Sequence, residues 1–406
     1  MHRTIPPFSR RSARIDRAAC GLGLTSLFAI ACANSPSQLP PLPDDPTGSF
    51  LAVASSDFSS GALHTVDLAT LAVRKNIDVL DANPVVRAYG SQLFVLDQSH
   101  GSMRVYDLAQ DFANPKDYPI GKNPELPAAQ GNPYDVYIDT PRNVAYVSLY
   151  GSFGATAVTG DRALAVLDLA DPAAGIGRFV QLPVASGDSD GNPDATRLIG
   201  CGDKLYVLLQ DLDRNNGYAP VAAGRLAIVN LLNTSDVSII QLAGENPTAI
   251  TALADCTQAI VGSAGNQLTG ALNGNAGIER VDLVGKQTSG IVIKDSKLGG
   301  NVSTLDAVDA HTVFVDVSSK VGMSYNNDVY LVDAITGTTS QRLLGPLGFV
   351  PMIRATAGRL MVLSAGSQTN GHLKTGIFVG SSSGLPLPTD PIDLGLPPIS
   401  ADTYKR

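Results

Sequence analysis

Two neighbouring segments of this chain carry oxygen-bearing side chains at alternating positions, a pattern that suits a hard cation. Calcium takes several oxygen ligands from tightly turned segments, so the segments together are a candidate calcium site. The residues are Asp188, Asp190, Asp194, Asp211, Asp213 and Asn215. However, Gly217 lies one position later than an EF-hand loop requires, and no nearby Glu could bind the ion through both oxygens. A solvated turn without an ion is the alternative explanation.

Polar and aromatic side chains in the long loops are further candidates for contact with a ligand. They are His100, Tyr150, Tyr218 and His372. No two of the five histidines have the close spacing of metal ligands, and no haem-binding Cys-x-x-Cys-His motif is present. A hydrolase would need a polarising metal or a general base beside the substrate, and no set of residues commits the sequence to one. Catalysis therefore stays an open alternative.

The strands that position these candidates follow a sequence repeat, which is clearest from Asn132 to Leu169. In this repeat three apolar runs are separated by turn residues, which predicts an antiparallel meander. The repeat recurs in steps of 47 to 60 residues, a period typical of β-propellers. Its openings are Asn83-Pro84, Asn132-Pro133, Asn192-Pro193, Asn246-Pro247, Asn301-Val302, Val350-Pro351 and Pro397-Pro398.

A second feature marks the end of one strand in each repeat, where an apolar residue precedes Asp or a substitute for it. The residues are Asp67, Asp107, Asp168, Asn230, Asp282, Asp333 and, in a degenerate seventh repeat, Gly380. A carboxylate at that point can accept hydrogen bonds from backbone N–H groups two residues later and set a tight turn. The regular placement favours this structural role over a binding site.

Strands such as Leu205–Leu209 are apolar at every position, so both of their faces must be covered. Neighbouring blades of a propeller provide that cover. The sequence predicts an all-β propeller of seven four-stranded blades over residues 49–406. The first repeat lacks an inner strand, and residues 398–404 are expected to supply it and close the ring. Six blades with an unpaired amino-terminal hairpin is the alternative.

Segments such as Leu205-Tyr206-Val207 and Asn132-Pro133-Tyr134-Asp135-Val136 resemble secreted seven-bladed propellers with YVTN-type repeats, a superfamily that includes YncE-like and lactonase-like proteins. The resemblance covers residues 49 to 404. The chain has no Tyr-Val-Thr-Asn string and carries long insertions, so the resemblance implies the fold far more than a function.

The long insertions fall in two classes of loop, those that lead into each repeat and those between its second and third strands. In a propeller both classes lie on one side of the disc. Loops on a rigid scaffold are where binding residues concentrate, so this side is the expected binding face.

The amino terminus is typical of an export signal, with a basic region to Arg17 and an apolar region from Ala18 to Ala31. Ala29-Ile30-Ala31-Cys32 resembles a bacterial lipoprotein box, which implies a signal peptide over 1–31 and lipidation of Cys32; a plain cleavage site or a buried Cys32 is the alternative. The Pro-rich residues 32–48 then form a tether. By analogy with lipoproteins, Ala33 favours the outer membrane.

Cys201 and Cys256 fall in corresponding turns of consecutive repeats. An exported chain can form disulfides, so they could be bonded, or their turns could be too far apart.

The whole chain has a formal net charge of −8 although its leader is basic, so the body is strongly acidic and unsuited to nucleic acid. The leading hypothesis is a membrane-tethered extracytoplasmic propeller that binds a protein, a glycan or another surface ligand without catalysis. The alternatives are a lactonase-like hydrolase, assisted by calcium, and a structural component of the envelope.

Overall fold

The structure is a computed structural model that describes residues 46–120, 131–152, 163–267, 269–321, 324–366, 374–383 and 387–406. The signal peptide, Cys32, the tether up to residue 45 and His372 lie outside these ranges. Residues 46–48 form a turn in which the Ser49 amide donates to the Pro46 carbonyl oxygen (2.9 Å), and the first strand begins at Ser49. In the part of the chain described, no helix has the length and apolar character needed to cross a bilayer.

Short strands form nearly all the regular structure of the described residues. In chain order they are β1 (Ser49–Ser56), β2 (Gly61–Asp67), β3 (Val73–Leu80), β4 (Pro84–Tyr89), β5 (Gln92–Asp97), β6 (Ser102–Asp107), β7 (Lys116–Pro119), β8 (Gly131–Asp139), β9 (Val144–Ser152), β10 (Ala163–Asp168), β11 (Ile176–Gln181), β12 (Ala195–Cys201), β13 (Lys204–Leu209), β14 (Leu212–Asp213), β15 (Ala219–Pro220), β16 (Ala223–Asn230), β17 (Val237–Glu245), β18 (Pro247–Ala252), β19 (Gln258–Ser263), β20 (Gly277–Asp282), β21 (Gln287–Lys294), β22 (Asn301–Ala307), β23 (Val313–Val321), β24 (Ser324–Asp333), β25 (Thr338–Leu347), β26 (Met352–Thr356), β27 (Arg359–Ser364), β28 (Gly376–Ser381) and β29 (Pro398–Lys405). Helical segments are short: α1 (Asp295–Leu298) and 3₁₀ turns at Leu108–Gln110, Thr140–Arg142, Pro172–Ala174 and Arg214–Asn216.

In the described residues β14 and β15 pair as a separate two-stranded sheet, and the other strands form seven antiparallel sheets, the blades of a propeller. From the innermost strand outward they are β29-β1-β2-β3, β4-β5-β6-β7, β8-β9-β10-β11, β12-β13-β16-β17, β18-β19-β20-β21, β22-β23-β24-β25 and β26-β27-β28, called blades one to seven. In blade seven a backbone bridge between Ile377 and Ile392 stands where the fourth strand would be. The seven-bladed prediction is confirmed.

The ring is closed within blade one, where the last strand pairs with the first. β29 lies antiparallel to β1 from the Ser49–Lys405 pair to the Ser55–Pro398 pair. The Phe50 and Tyr404 rings stack on this pairing with centroids 5.5 Å apart. Because the first hairpin has its inner strand, the six-bladed alternative is wrong. Pairing of the two ends also removes a sheet edge that could otherwise recruit another chain.

The hydrophobic core consists of one apolar cluster between each pair of neighbouring blades. β13 shows how a strand without polar alternation serves this design. Leu205, Val207 and Leu209 pack toward blade three, whereas Tyr206 and Leu208 pack toward blade five. The continuous apolar run is therefore required, since side chains on both faces of the strand are buried.

Acidic or amide side chains at the strand ends set the tight turns, as their regular placement in the sequence indicates. Asp67 accepts hydrogen bonds from the amides of Ala69 and Thr70 at 2.8 and 2.9 Å. The residues that accept in the same way from the amide two positions later are Asp107, Asp168, Asn230, Asp282 and Asp333. These groups stabilise the turns that connect the strands.

Blades four and five are joined covalently. Cys201 and Cys256 form a disulfide bond, with Cα atoms 5.7 Å apart. Cys201 ends β12 and Cys256 lies in the turn between β18 and β19, so the bond links the two blades at the same end of their inner strands.

Candidate functional site

The two ends of the blades differ in the length of their loops. Connections that lead into each inner strand, or join the second strand to the third, lie at one end; these include residues 182–194, 210–222 and 264–276, and we call this end the loop-rich face. The other end, the trimmed face, has tight turns such as Gly202-Asp203 and Ala357-Gly358. Gly202 has φ +59°, a conformation that a residue with Cβ rarely adopts.

The acidic loops of blade four lie together on the loop-rich face. One carboxylate oxygen each from Asp188, Asp190 and Asp213 lies within 4.8 Å of the others. Oδ1 of Asp188 accepts from the amides of Asp190 and Gly191, at 3.1 and 3.3 Å, whereas its buried Oδ2 has no hydrogen-bond partner. Burial, and then the charge of Asp190, raise the pKa of Asp188. Three oxygens in this arrangement could contribute to a calcium site.

The other three residues of the proposed calcium set have separate partners. Asp211 is fully buried and forms a two-pronged ion pair with Arg225 (2.6 and 2.8 Å), which fixes the loop to β16. Asn215 donates its side-chain amide to the Ser189 hydroxyl. Asp194 accepts from the Leu212 amide at 2.8 Å, and burial raises its pKa to about 8.

A cationic side chain already lies beside the acidic group. The Arg214 guanidinium is 3.9 Å from Asp190 and 3.8 Å from Asp194. It also donates to the Tyr150 carbonyl oxygen at 3.0 Å. Part of the negative charge is therefore balanced by the protein itself.

The aromatic candidates Tyr150 and Tyr218 lie in the same region of the loop-rich face. Tyr150 packs against Tyr134 with ring centroids 5.3 Å apart, and burial raises its pKa. Tyr134 in turn covers the Arg197 guanidinium, whose central carbon is 5.3 Å from the ring centroid. Tyr218 is 49% exposed and follows the left-handed Gly217. The rings of Tyr150 and Tyr134 therefore connect the loop-rich face with Arg197 on the inner strand β12.

His100 lies elsewhere on this face, in the β5–β6 loop of blade two. Its Nδ1 is 2.8 Å from Asp97 and 3.2 Å from Asp81. The hydrogen bond to Asp97, and then the charges of both carboxylates, raise the pKa of His100. The three side chains could meet at one cation, but the exposed imidazole makes an ordinary surface ion pair when protonated.

The axis of the propeller holds a polar cavity that sequence reasoning missed. Its volume is about 110 Å³, and inner strands of six blades line it. Its charged lining residues are Arg87, Asp135, Arg197 and Arg354. A signal was present in the sequence: each of these charged residues lies in an inner strand, two to four positions after the Pro of a repeat opening.

Carboxylates of the inner strands link one blade to the next at this axis. Asp135 accepts from the Leu198 amide of blade four (3.0 Å) and pairs with Arg87 of blade two (2.6 Å). Asp306 accepts from the Ala355 amide and Asp402 from the Ala88 amide, at 2.9 and 3.0 Å. These links orient the inner strands around the cavity.

Large apolar side chains are exposed in the loops and hairpins of the loop-rich face. They are Phe58, Tyr218, Leu272, Val321, Tyr325 and Phe349. The Tyr325 hydroxyl of blade six donates to the Gln267 carbonyl oxygen at 2.9 Å, which joins the loops of blades five and six. The Asn327 side chain of blade six similarly bonds to the Gly348 carbonyl next to Phe349.

No protein-family model matches the sequence, and a search of curated proteins found no match. Solved structures do match. A candidate 6-phosphogluconolactonase from Bacteroides uniformis shares 12% identity and a TM-score of 0.58, over 88% of this chain and 99% of that one. A functionally unknown protein from Desulfotomaculum acetoxidans shares 12% identity and a TM-score of 0.51, over 85% and 99%.

Hydrazine synthase from Kuenenia stuttgartiensis matches with 13% identity and a TM-score of 0.52, over 81% of this chain and 94% of that one. At such identities the similarity concerns architecture and not chemistry. The likeness to these three structures shows that the chain has a β-propeller fold.

Proposed function

We propose that this chain is an exported propeller, held at a bacterial membrane by a lipid on Cys32, that binds a protein partner through its loop-rich face without catalysis. The exposed apolar side chains of that face carry the proposal. Tyr325, Phe349 and Val321 are 38%, 53% and 55% exposed on neighbouring blades. Exposed aromatic side chains are enriched in protein interfaces relative to the rest of a protein surface.

The position at which the body begins supports a tether attached on the side away from the loop-rich face. β1 begins at the trimmed face, where the Arg406 amide donates to the Gly48 carbonyl oxygen at 3.0 Å. The tether proposed for residues 32–48 would therefore join the body on the face opposite the loop-rich one.

A pull-down from envelope extract tests the binding surface. The bait is the full chain, compared with a variant carrying Leu272→Ser, Tyr325→Ser and Phe349→Ser. We expect the wild type to retain a partner that the variant loses. A matched control carries Leu232→Ser and Val284→Ser, which are 69% and 70% exposed on the trimmed face. Equal retention by the two variants would contradict the proposal.

Anchoring has its own test, because it is independent of the partner. In a bacterial host, Cys32→Ser should move the protein from the membrane fraction to the soluble fraction and abolish labelling by a fatty-acid probe. Unchanged membrane association of this variant would show that Cys32 is not the anchor.

A second candidate function is calcium-assisted hydrolysis of a lactone, favoured by the oxygens of Asp188, Asp190 and Asp213, which lie within 4.8 Å of one another. A cation held by these carboxylates would polarise the carbonyl group of a substrate. The Bacteroides uniformis protein gives 6-phosphogluconolactone as the first substrate to assay, with and without calcium. Activity that requires calcium and that Asp188→Asn abolishes would support an enzyme. Hydrolysis no faster than in buffer would leave the binding proposal alone.

A further inference from the structure

The charged side chains of the axial cavity are unequally paired. Arg87 lies 2.6 Å from Asp135, and Arg354 lies 3.5 Å from Asp402. Arg197 differs: among the residues that the structure describes, no carboxylate oxygen lies within 4.0 Å of its guanidinium group. The guanidinium group instead lies over the Tyr134 ring in a cation–π contact. The cavity therefore contains one arginine whose charge is not matched by a neighbouring ion.

The carboxylates near the axis cannot easily supply that match. Oδ1 and Oδ2 of Asp135 already accept from the amides of Val136 and Leu198. Both oxygens of Asp306 likewise accept from amides, and burial raises the pKa of this group, which favours its neutral form. Burial, together with the charges of Arg87 and Arg354, lowers the pKa of Arg197. These observations describe a local excess of positive charge.

The walls of the cavity would strengthen a bond to an anion. Between the charged residues it is lined by apolar side chains, including Ile199, Ile250, Leu305 and Ile353. Ion pairs are stronger where water is largely excluded, and a guanidinium group can hold an oxyanion through two parallel hydrogen bonds. A volume of about 110 Å³ admits a small molecule but not a peptide segment or nucleic acid.

We propose that the axial cavity binds a small oxyanion, a carboxylate or a phosphate, with Arg197 as its principal charge partner and Arg354 as the second. This site is separate from the loop-rich face and does not depend on the function proposed for that face. Tyr134 orients the guanidinium group of Arg197 and covers it on one side.

Calorimetry on the full chain tests the proposal, with succinate, acetate and inorganic phosphate as separate probes in chloride buffer of constant ionic strength. We expect saturable binding of at least one probe and a loss of affinity of about tenfold or more in Arg197→Gln. The probe that binds distinguishes carboxylate from phosphate recognition. Arg342→Gln is the matched control, because this arginine is exposed on the outer strand β25 and should not affect binding.

Thermal melting without any probe provides a second measurement. Arg197→Gln should melt at or above the wild-type temperature, because no carboxylate loses its partner. Arg87→Gln should melt lower, since it leaves the buried Asp135 unpaired. Three results would overturn the proposal: no probe binds, Arg197→Gln binds as well as the wild type, or it melts as low as Arg87→Gln.

Discussion

Removal of the disulfide between blades four and five should lower the stability of the whole propeller. The bond closes a segment of 55 residues. On the chain-entropy account, a loop of that length stabilises the folded state by about 4 kcal/mol, because the bond restricts the unfolded chain. Typical domains unfold with about 5 to 15 kcal/mol, so the predicted change is a large fraction of the total.

The perturbation is the double variant Cys201→Ser and Cys256→Ser, which avoids a lone reactive thiol. Urea unfolding followed by far-ultraviolet circular dichroism is the suitable assay, because the chain has no Trp to report by fluorescence. The variant should unfold at lower urea and with a somewhat steeper slope, because its unfolded chain lacks the cross-link and exposes more surface. Wild-type protein in reductant should behave like the variant, and the variant itself should not respond to reductant.

Two results would refute this reasoning. One is a difference in unfolding free energy well below about 1 kcal/mol, which would mean that the bond does not restrict the unfolded chain as the entropy account requires. The other is titration of two free thiols at Cys201 and Cys256 in protein recovered from the cell envelope. That result would place the chain in a reducing compartment and would also count against export.

Three further changes should give measurable effects. His64 is fully buried and burial lowers its pKa from 6.5 to about 4, so the unfolded chain binds more protons between those values. The free energy of unfolding should therefore fall by about 1 to 2 kcal/mol on acidification to about pH 5. Urea titrations should show this loss in the wild type and not in His64→Gln, and an equal pH dependence of the two proteins would contradict the prediction. Burial raises the pKa of Asp316, so the stability that this group contributes is lost as the pH rises. Asp316→Asn should therefore melt at a higher temperature than the wild type at alkaline pH, and the difference should be smaller in acid. The opposite trend in scanning calorimetry would count against this prediction. Calcium at about 100 times its dissociation constant should stabilise the wild type by about 2.7 kcal/mol in thermal melts. Asp188→Asn should abolish that gain and the trimmed-face Asp255→Asn should not; a wild-type melt that calcium leaves unchanged would remove the calcium proposal.

The architecture could be predicted because each of its requirements leaves a local mark in the sequence. Apolar strands such as Leu205–Leu209 indicate that both of their faces are covered, and acidic residues such as Asp67 indicate the turns. The missing inner strand of the first repeat predicted the pairing with Pro398–Lys405. These signals lie within single strands and turns, so no knowledge of distant contacts is needed.

The axial cavity could not be predicted in the same way. Arg87, Asp135 and Arg197 come from three different blades, and their pairing depends on how the blades are arranged around the axis. In the sequence Arg87 and Arg197 are each the one charged residue of an inner strand, and Asp135 shares its strand with Asp139. The acidic loops show a different error. The spacing of Asp211 and Asp213 predicted that both bind the same ion, but Asp211 forms an ion pair with Arg225 and belongs to the scaffold. Spacing identifies neighbours along the chain but not the partner each side chain takes.

Pairing of β29 with β1 has a consequence for biosynthesis. A ribosome makes Ser49 early and Lys405 late, yet the two residues are partners in the same sheet. Blade one, and the apolar clusters on both sides of it, cannot be completed until the final strand has emerged. The ring therefore cannot close before the carboxyl-terminal strand is available, so this last strand commits the chain to its folded state.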